Sequence, residues 1–243
     1  MKYFLVFCLL LIPSLNRAQD TLHCILPNEY NEVFGAKLKG QVYTGMAGLI
    51  GDEFFNENYV KGDVFLENGE VANNQLLRYN GRVDGVLLFP EPSMGGTEIL
   101  LDKYFVKGFC LKNINGNSNI CFTKIKIASD FSSDSSQVYG QVLYRNKLSL
   151  YSYRRYAFIE EVQGYSGNEQ IAFKKYGPSF IYYFQLPNGN TIGFKKFKKR
   201  NLYALFPGKK KTMRKLFRDN HMRRFRDEQD LVKVSEVLNS MYN

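Results

Sequence analysis

The sequence predicts an α+β protein. Its main part is an antiparallel β-sheet domain, either a sandwich or an open barrel, followed by a short C-terminal helical appendage. Three observations lead there. Asn-Gly dipeptides stand at 68, 80, 115 and 188, each between β-type runs, and Asn-Gly is the strongest short hairpin signal. The aromatics are 17 Tyr and 20 Phe with no Trp, a mixture that suits half-buried pleated surfaces. After Lys199 the apolar spacing changes to the i, i+3, i+4 pattern of a helix.

The first element reads as a secretory signal over residues 1–18. Lys2 precedes the apolar run Phe4–Ile12, Pro13 and Ser14 break it, and Ala18 offers the small residue for cleavage. A run this short falls well below the ~20 residues of a membrane-spanning helix. Lipidation is excluded because Cys8 follows Phe7 and Cys24 follows His23, not a small residue. A mature chain from Gln19, periplasmic or secreted, is the expectation.

The β domain is expected over 19–198. Val64–Leu66 leads through Asn68-Gly69 to a second run, and Leu76–Tyr79 leads through Asn80-Gly81 to Val83–Phe89. Ile99–Leu111 and Ile120–Ile127 form a hairpin, and Gln137–Tyr144 and Lys147–Ile159 flank Arg145-Asn146. Phe180–Leu186 turns through Asn188-Gly189 into Thr191–Phe197, while 128–136 (ASDFSSDSS) reads as a loop. Several strands are too short for an outer-membrane barrel, whose strands run to ~10 residues, and the chain ends in helices.

Export leaves Cys24, Cys110 and Cys121, an odd number, so at most one internal bridge forms. A two-residue loop at Asn115-Gly116 places Cys110 opposite Cys121 at a hydrogen-bonded pair. There the Cβ atoms stand slightly too far apart for a bridge. A disulfide and two small buried hydrophobes both fit.

Three helices follow over 199–243. Leu202, Leu205 and Phe206 mark the first, and Met213, Leu216 and Phe217 the second, with Pro207-Gly208 between them. Asp227 can cap the third, whose stripe is Leu231, Val234, Leu238 and Met241. Helices this short need the β domain to pack on.

Charge is the most uneven property. Of the +10 formal net charge, the segment 195–226 carries fourteen Lys or Arg against the single acid Asp219. Lys209, Lys210, Lys211, Arg214, Lys215 and Arg218 are expected on the outer face of the second helix. A basic amphipathic helix suits anionic lipid or glycolipid, or an acidic protein partner. Nucleic acid is a poor fit for an exported protein, although Phe197, Tyr203 and Phe217 interleave with the bases as stacking requires.

Catalytic constellations are scarce. Gly-x-Ser-x-Gly is absent, and the two histidines, His23 and His221, lie in the N-terminal and basic segments. Asp52-Glu53 and Glu160-Glu161 are adjacent pairs whose side chains point to opposite strand faces. Asp130 and Asp134 lack calcium-loop spacing, and no Cys-x-x-Cys occurs, so no metal or cofactor is expected. The aromatic-basic runs Arg78-Tyr79-Asn80 and Tyr151–Tyr156 suit a sugar or carboxylate grip, or plain cross-strand packing.

The run Gly62–Gly69 with Leu76-Leu77-Arg78-Tyr79-Asn80, and the tail Leu202–Phe206, Lys209–Lys211, Asp227–Leu231 and Tyr242-Asn243, resemble uncharacterised small exported proteins of Bacteroidota-type bacteria. A signal ending in Ala-Gln is similar to theirs. The resemblance implies export and no particular activity. Two functions stay open: a non-enzymatic envelope-associated protein that contacts an anionic surface or acidic partner, and a hydrolase whose site is assembled from distant residues.

Overall fold

The computed structural model describes residues 38–45, 49–50, 53–90, 96–114, 119–127, 137–166, 169–195, 198–222 and 224–242. The signal segment, His23, Cys24, Asp52, Asn115-Gly116, the 128–136 loop and Phe197 lie outside them. Twelve strands and three helices are described: β1 Gly40–Val42, β2 Leu49–Ile50, β3 Val60–Leu66, β4 Val71–Asn80, β5 Gly85–Phe89, β6 Ile99–Leu101, β7 Val106–Leu111, β8 Ile120–Lys126, β9 Gln137–Tyr144, β10 Ser149–Ser166, β11 Glu169–Gln185, β12 Thr191–Phe194, α1 Lys199–Leu205, α2 Lys210–Asp219 and α3 Glu228–Asn239. A 3₁₀ turn, Ser240–Tyr242, follows α3.

All twelve strands belong to one sheet, not to the two layers of a sandwich. Its order is β1-β6-β5-β4-β3-β7-β8-β9-β10-β11-β12. Every pairing is antiparallel except that of β2 with β11. The predicted α+β class is the observed one, with an open sheet and the helices at the C-terminal end of the chain.

The sheet curls at its first half, and the chain length forces it to. A flat sheet would hold β6 and β7 four strand spacings apart, roughly 19 Å. Yet Asp102–Phe105 alone connect them, and the Val106 N–H reaches the Asp102 carbonyl at 3.3 Å. Strands β3–β7 therefore roll around a core of Leu77, Tyr79, Phe109, Phe122 and Tyr139, all buried. Phe109 and Phe122 stack there at 4.8 Å, and Tyr79 tilts onto Phe122 at 4.7 Å. Ile99–Leu111, one strand on sequence grounds, is split by this turn into β6 and β7.

The described Asn-Gly dipeptides all lie at turns between paired strands. Gly69 and Gly189 take φ of 90° and 83°, the left-handed region glycine enters without steric cost. Each closes its hairpin in the same way: Gly69 N–H donates to Leu66 and Gly189 N–H to Leu186. Asn80 ends β4 and its Oδ1 accepts from the backbones of Arg82 and Val83.

The second half of the sheet is packed on both faces. Leu148, Leu150, Tyr182, Phe184 and Phe194 face the helices, meeting Leu202, Phe206, Met213, Phe217, Leu231 and Leu238. Tyr151, Ile181 and Tyr183 face the other way, with Ile125 and Val138. β10 and β11 also run far past their neighbours. β9 meets β10 only over Leu150–Tyr153, and β12 meets β11 only over Tyr182–Gln185. The remainder continues as a long hairpin arm that β2 joins at Lys174 and Lys175, with Phe158, Ile159 and Tyr165 exposed and a bulge between Phe158 and Glu160. On sequence grounds the return strand begins only at Phe180, whereas the structure begins it at Glu169. Pro178 pairs with Tyr156 in the hairpin register, beyond the stretch of β11 that β12 covers, where a missing N–H is tolerated.

Candidate functional site

Each expected base of the second helix is exposed: Lys209, Lys210, Lys211, Arg214, Lys215 and Arg218. Met213 and Phe217 are buried on the opposite side and anchor α2, while Leu216 is half-buried. The period of 3.6 produces this division, since Met213 and Phe217 stand four apart and the bases fill the other positions. Phe217 packs edge-on to Phe225 at 5.4 Å and tilted to Tyr203 at 6.0 Å.

The ends of α2 are unequal. At its start, Lys209 is the cap residue without a side-chain cap bond, and the first turn holds no acid. At its end, His221 (φ 54°) sends its N–H to Arg218 O, and Met222 sends its N–H to Phe217 O. This pair of bonds is the Schellman closure. His221, one of two residues a triad would have needed, thus serves to stop a helix. Lys199 Nζ donates to the Met222 carbonyl at 2.5 Å and ties the same corner to α1.

The cations of α2 have few partners. Arg218 lies 3.5 Å from Asp219, both exposed. Arg214 stands over Tyr203 at 5.8 Å and Lys209 over Tyr242 at 5.9 Å. Among the described residues, Lys210, Lys211 and Lys215 meet no carboxylate within 4.0 Å.

Elsewhere several charges are engaged in networks that join residues distant in sequence. Glu53 accepts from Arg82 Nε at 2.8 Å and from Tyr43 Oη at 2.9 Å, and Asn80 Nδ2 donates to that same Tyr43 oxygen. Burial pushes the Glu53 carboxyl upward, but the bonds from Arg82, Tyr43 and Asn80 outweigh it and hold it below its usual range. Asp84, buried at φ 51°, pairs with Lys103 and accepts from Tyr79 Oη at 2.7 Å and Tyr139 N at 3.2 Å. Burial prevails there and raises its carboxyl above the usual range. The burial of Tyr79 and Tyr139, reinforced by Asp84, raises both phenols, which stay protonated.

The two aromatic-basic runs are internal fasteners. Arg78 lies over the Phe54 ring at 3.4 Å and over Tyr59 at 4.8 Å, and reaches Glu98 at 3.4 Å. Arg154 bonds Gln141 and Glu228, each at 2.7 Å, and stands over Phe180 at 4.6 Å. Glu228 also accepts from Tyr182 Oη at 2.9 Å, so the first turn of α3 is tied to β10 and β11. Asp227 caps α3 as expected, accepting from Asp230 N at 2.9 Å, and the Asp230 carboxylate in turn accepts from Arg226 N at 2.8 Å. Of the adjacent carboxylates, Glu160 pairs with Lys175 at 3.0 Å.

Cys110 and Cys121 are opposite in register and joined by a disulfide, with their Cα atoms 4.0 Å apart. The expected register is the observed one; the expected spacing is not. The strands close to less than the ~5.5 Å of a hydrogen-bonded pair, and that approach lets the sulfurs meet. Among the described residues no group of three or more His, Cys, Asp or Glu could hold a metal ion. None of the described helices is long and apolar enough to cross a membrane. Compared with protein-family models, curated proteins and solved structures, the chain matches none.

Proposed function

We propose that this is an exported, non-enzymatic protein of the cell envelope that contacts an anionic surface or an acidic partner through α2. One observation carries the reading: the cations crowd the wrong end of the helix. Lys209, Lys210 and Lys211 surround an N-terminus with no cap and no acid. A helix N-terminus is already electropositive, so each exposed lysine there costs a few tenths of a kcal/mol. Solubility would be served equally by bases spread over the surface. An external anion offsets this repulsion and accepts from the free N–H groups of the first turn. Anchoring by Met213 and Phe217 holds the array rigid, which limits the entropy lost on contact.

Vesicles of phosphatidylglycerol and of phosphatidylcholine test this. The protein should sediment with the first and not the second, and release as salt shortens the Debye length below about 8 Å. Exchanging Lys210, Lys211, Arg214 and Arg218 for Gln should abolish most of the binding. Equal sedimentation of variant and parent at low salt would overturn the reading, as would binding by neither to vesicles or to a polyglutamate probe.

A further inference from the structure

A second place for a ligand lies away from α2, on the convex side of the sheet where β3, β7, β8 and β9 meet. A cleft of ≈ 460 Å³ opens there over the Cys110–Cys121 bridge. Volumes of about 300–1,000 Å³, mostly apolar walls and a few placed polar groups are the general properties of small-ligand sites. The walls are Phe65, Val142 and the disulfide itself, and the charged groups are Lys107 and Arg145.

These residues reach the cleft for simple reasons. β3, β7 and β8 alternate, so Phe109 and Phe122 enter the rolled core while Phe65, Cys110 and Cys121 turn outward. Phe65 is left 36% exposed and forms one apolar wall of the cleft. Arg145 comes from the β9–β10 turn and Lys107 from the start of β7, both exposed and, among the described residues, without a carboxylate partner. The acids beside it are already held: Asp63 of β3 by Lys112 at 2.7 Å, and Glu67, just after β3, by Lys124. The cleft is thus apolar in its walls and positive in its field.

We propose that it binds a small amphiphilic carboxylate, with an aliphatic body against Phe65, Val142 and the disulfide and its carboxylate held by Lys107 and Arg145. A neutral chain would leave both cations unused, and a cationic amphiphile would be repelled. Free phosphate would leave the apolar walls wet. The site does not depend on the reading of α2, whose bases lie on another element.

Titration with decanoate below its micellar range, followed by amide NMR shifts, tests it. Shifts should centre on β7, β8 and Arg145. The variant carrying Lys107→Gln and Arg145→Gln should lose affinity by at least about tenfold, because it removes both charge-assisted hydrogen bonds and either alone is a factor of about ten. 1-Decanol should bind the parent about tenfold more weakly than decanoate, and inorganic phosphate should give no shifts at β7 and β8. The variant with four Gln on α2 should bind decanoate as the parent does. Unchanged affinity in the Lys107/Arg145 variant, equal binding of decanol, or shifts confined to α2 would each overturn the proposal.

Discussion

The rolled half, β3–β8, and the helix layer, α1–α3, handle charge in opposite ways. In the first, carboxylates and cations neutralise each other within the fold: Glu53 with Arg82, Asp63 with Lys112, Glu67 with Lys124, Asp84 with Lys103. In the second, Arg154–Glu228 fastens α3 to the sheet, but the outer face of α2 meets almost no acid. Both halves have aromatic cores of similar make, so burial does not separate them. The difference lies in what each leaves for the outside: the rolled half ties these carboxylates into ion pairs and leaves Lys107 at the cleft, whereas α2 presents a whole face of cations.

The comparison can be broken at four points. Phe109→Ala should cost about 4 kcal/mol, because the ring is fully buried between Phe122 and Tyr139 and its removal leaves a cavity. Urea midpoints would measure this, and a loss under 1 kcal/mol would mean the rolled core is loosely packed. Replacing Cys110 and Cys121 together by Ser should cost about 3 kcal/mol, since the bridge closes a short loop in the unfolded chain. The same denaturation curves report it.

The third point is pH. Asp84 has a raised folded value, so its folded form binds the proton more tightly and stability falls as pH rises through the window from about 3.9 upward. Asp84→Asn removes that loss, and its stability relative to the parent should rise from pH 3 to 7. Glu53 has a lowered value, so its contribution is present above about 4.3 and lost as pH falls through its folded value. Glu53→Gln should therefore cost most at neutral pH and least in acid. Parallel pH trends for the two variants would show that the networks do not differ as described.

The smallest effect belongs to α2. The four Gln replacements should change stability by less than about 0.5 kcal/mol, with a slight gain at low salt because repulsion at the N-terminus is relieved. A large loss would mean these bases are bound inside the fold and the face is not open.

Much of this architecture is legible in the residues, and the boundary of legibility is physical. Local chemistry reads well: the turns at Asn68-Gly69 and Asn188-Gly189, the Asp227 cap, the Cys110–Cys121 register and the buried Met213 and Phe217 all follow from spacing. What escapes depends on distant partners. Nothing near Asp84 in sequence announces that Lys103 and the Tyr139 N–H will meet it, and Arg154 lies far along the chain from Glu228. The second half of the β10–β11 arm escapes for another reason, since Pro178 is a breaker only where a neighbouring strand needs its N–H. The cleft over the disulfide is a product of curvature, which no pattern of one strand contains.

The short link between β6 and β7 has a kinetic consequence. On either side of it the chain forms a meander of sequential strands, β3 to β6 and β7 to β12, whose hairpins close by local steps of microseconds. Among the described strands of these two series, the β3–β7 seam alone joins one to the other, Leu66 with Val106 and Gly62 with Leu111, across all of β4, β5 and β6. That seam carries the loop-closure entropy of the whole roll, and long-range pairing of this kind sets the pace of β-protein folding. The disulfide sits on β7 and β8, beside the seam and not across it. It therefore pre-forms one lip of the roll while the rate of folding rests with β3 finding β7.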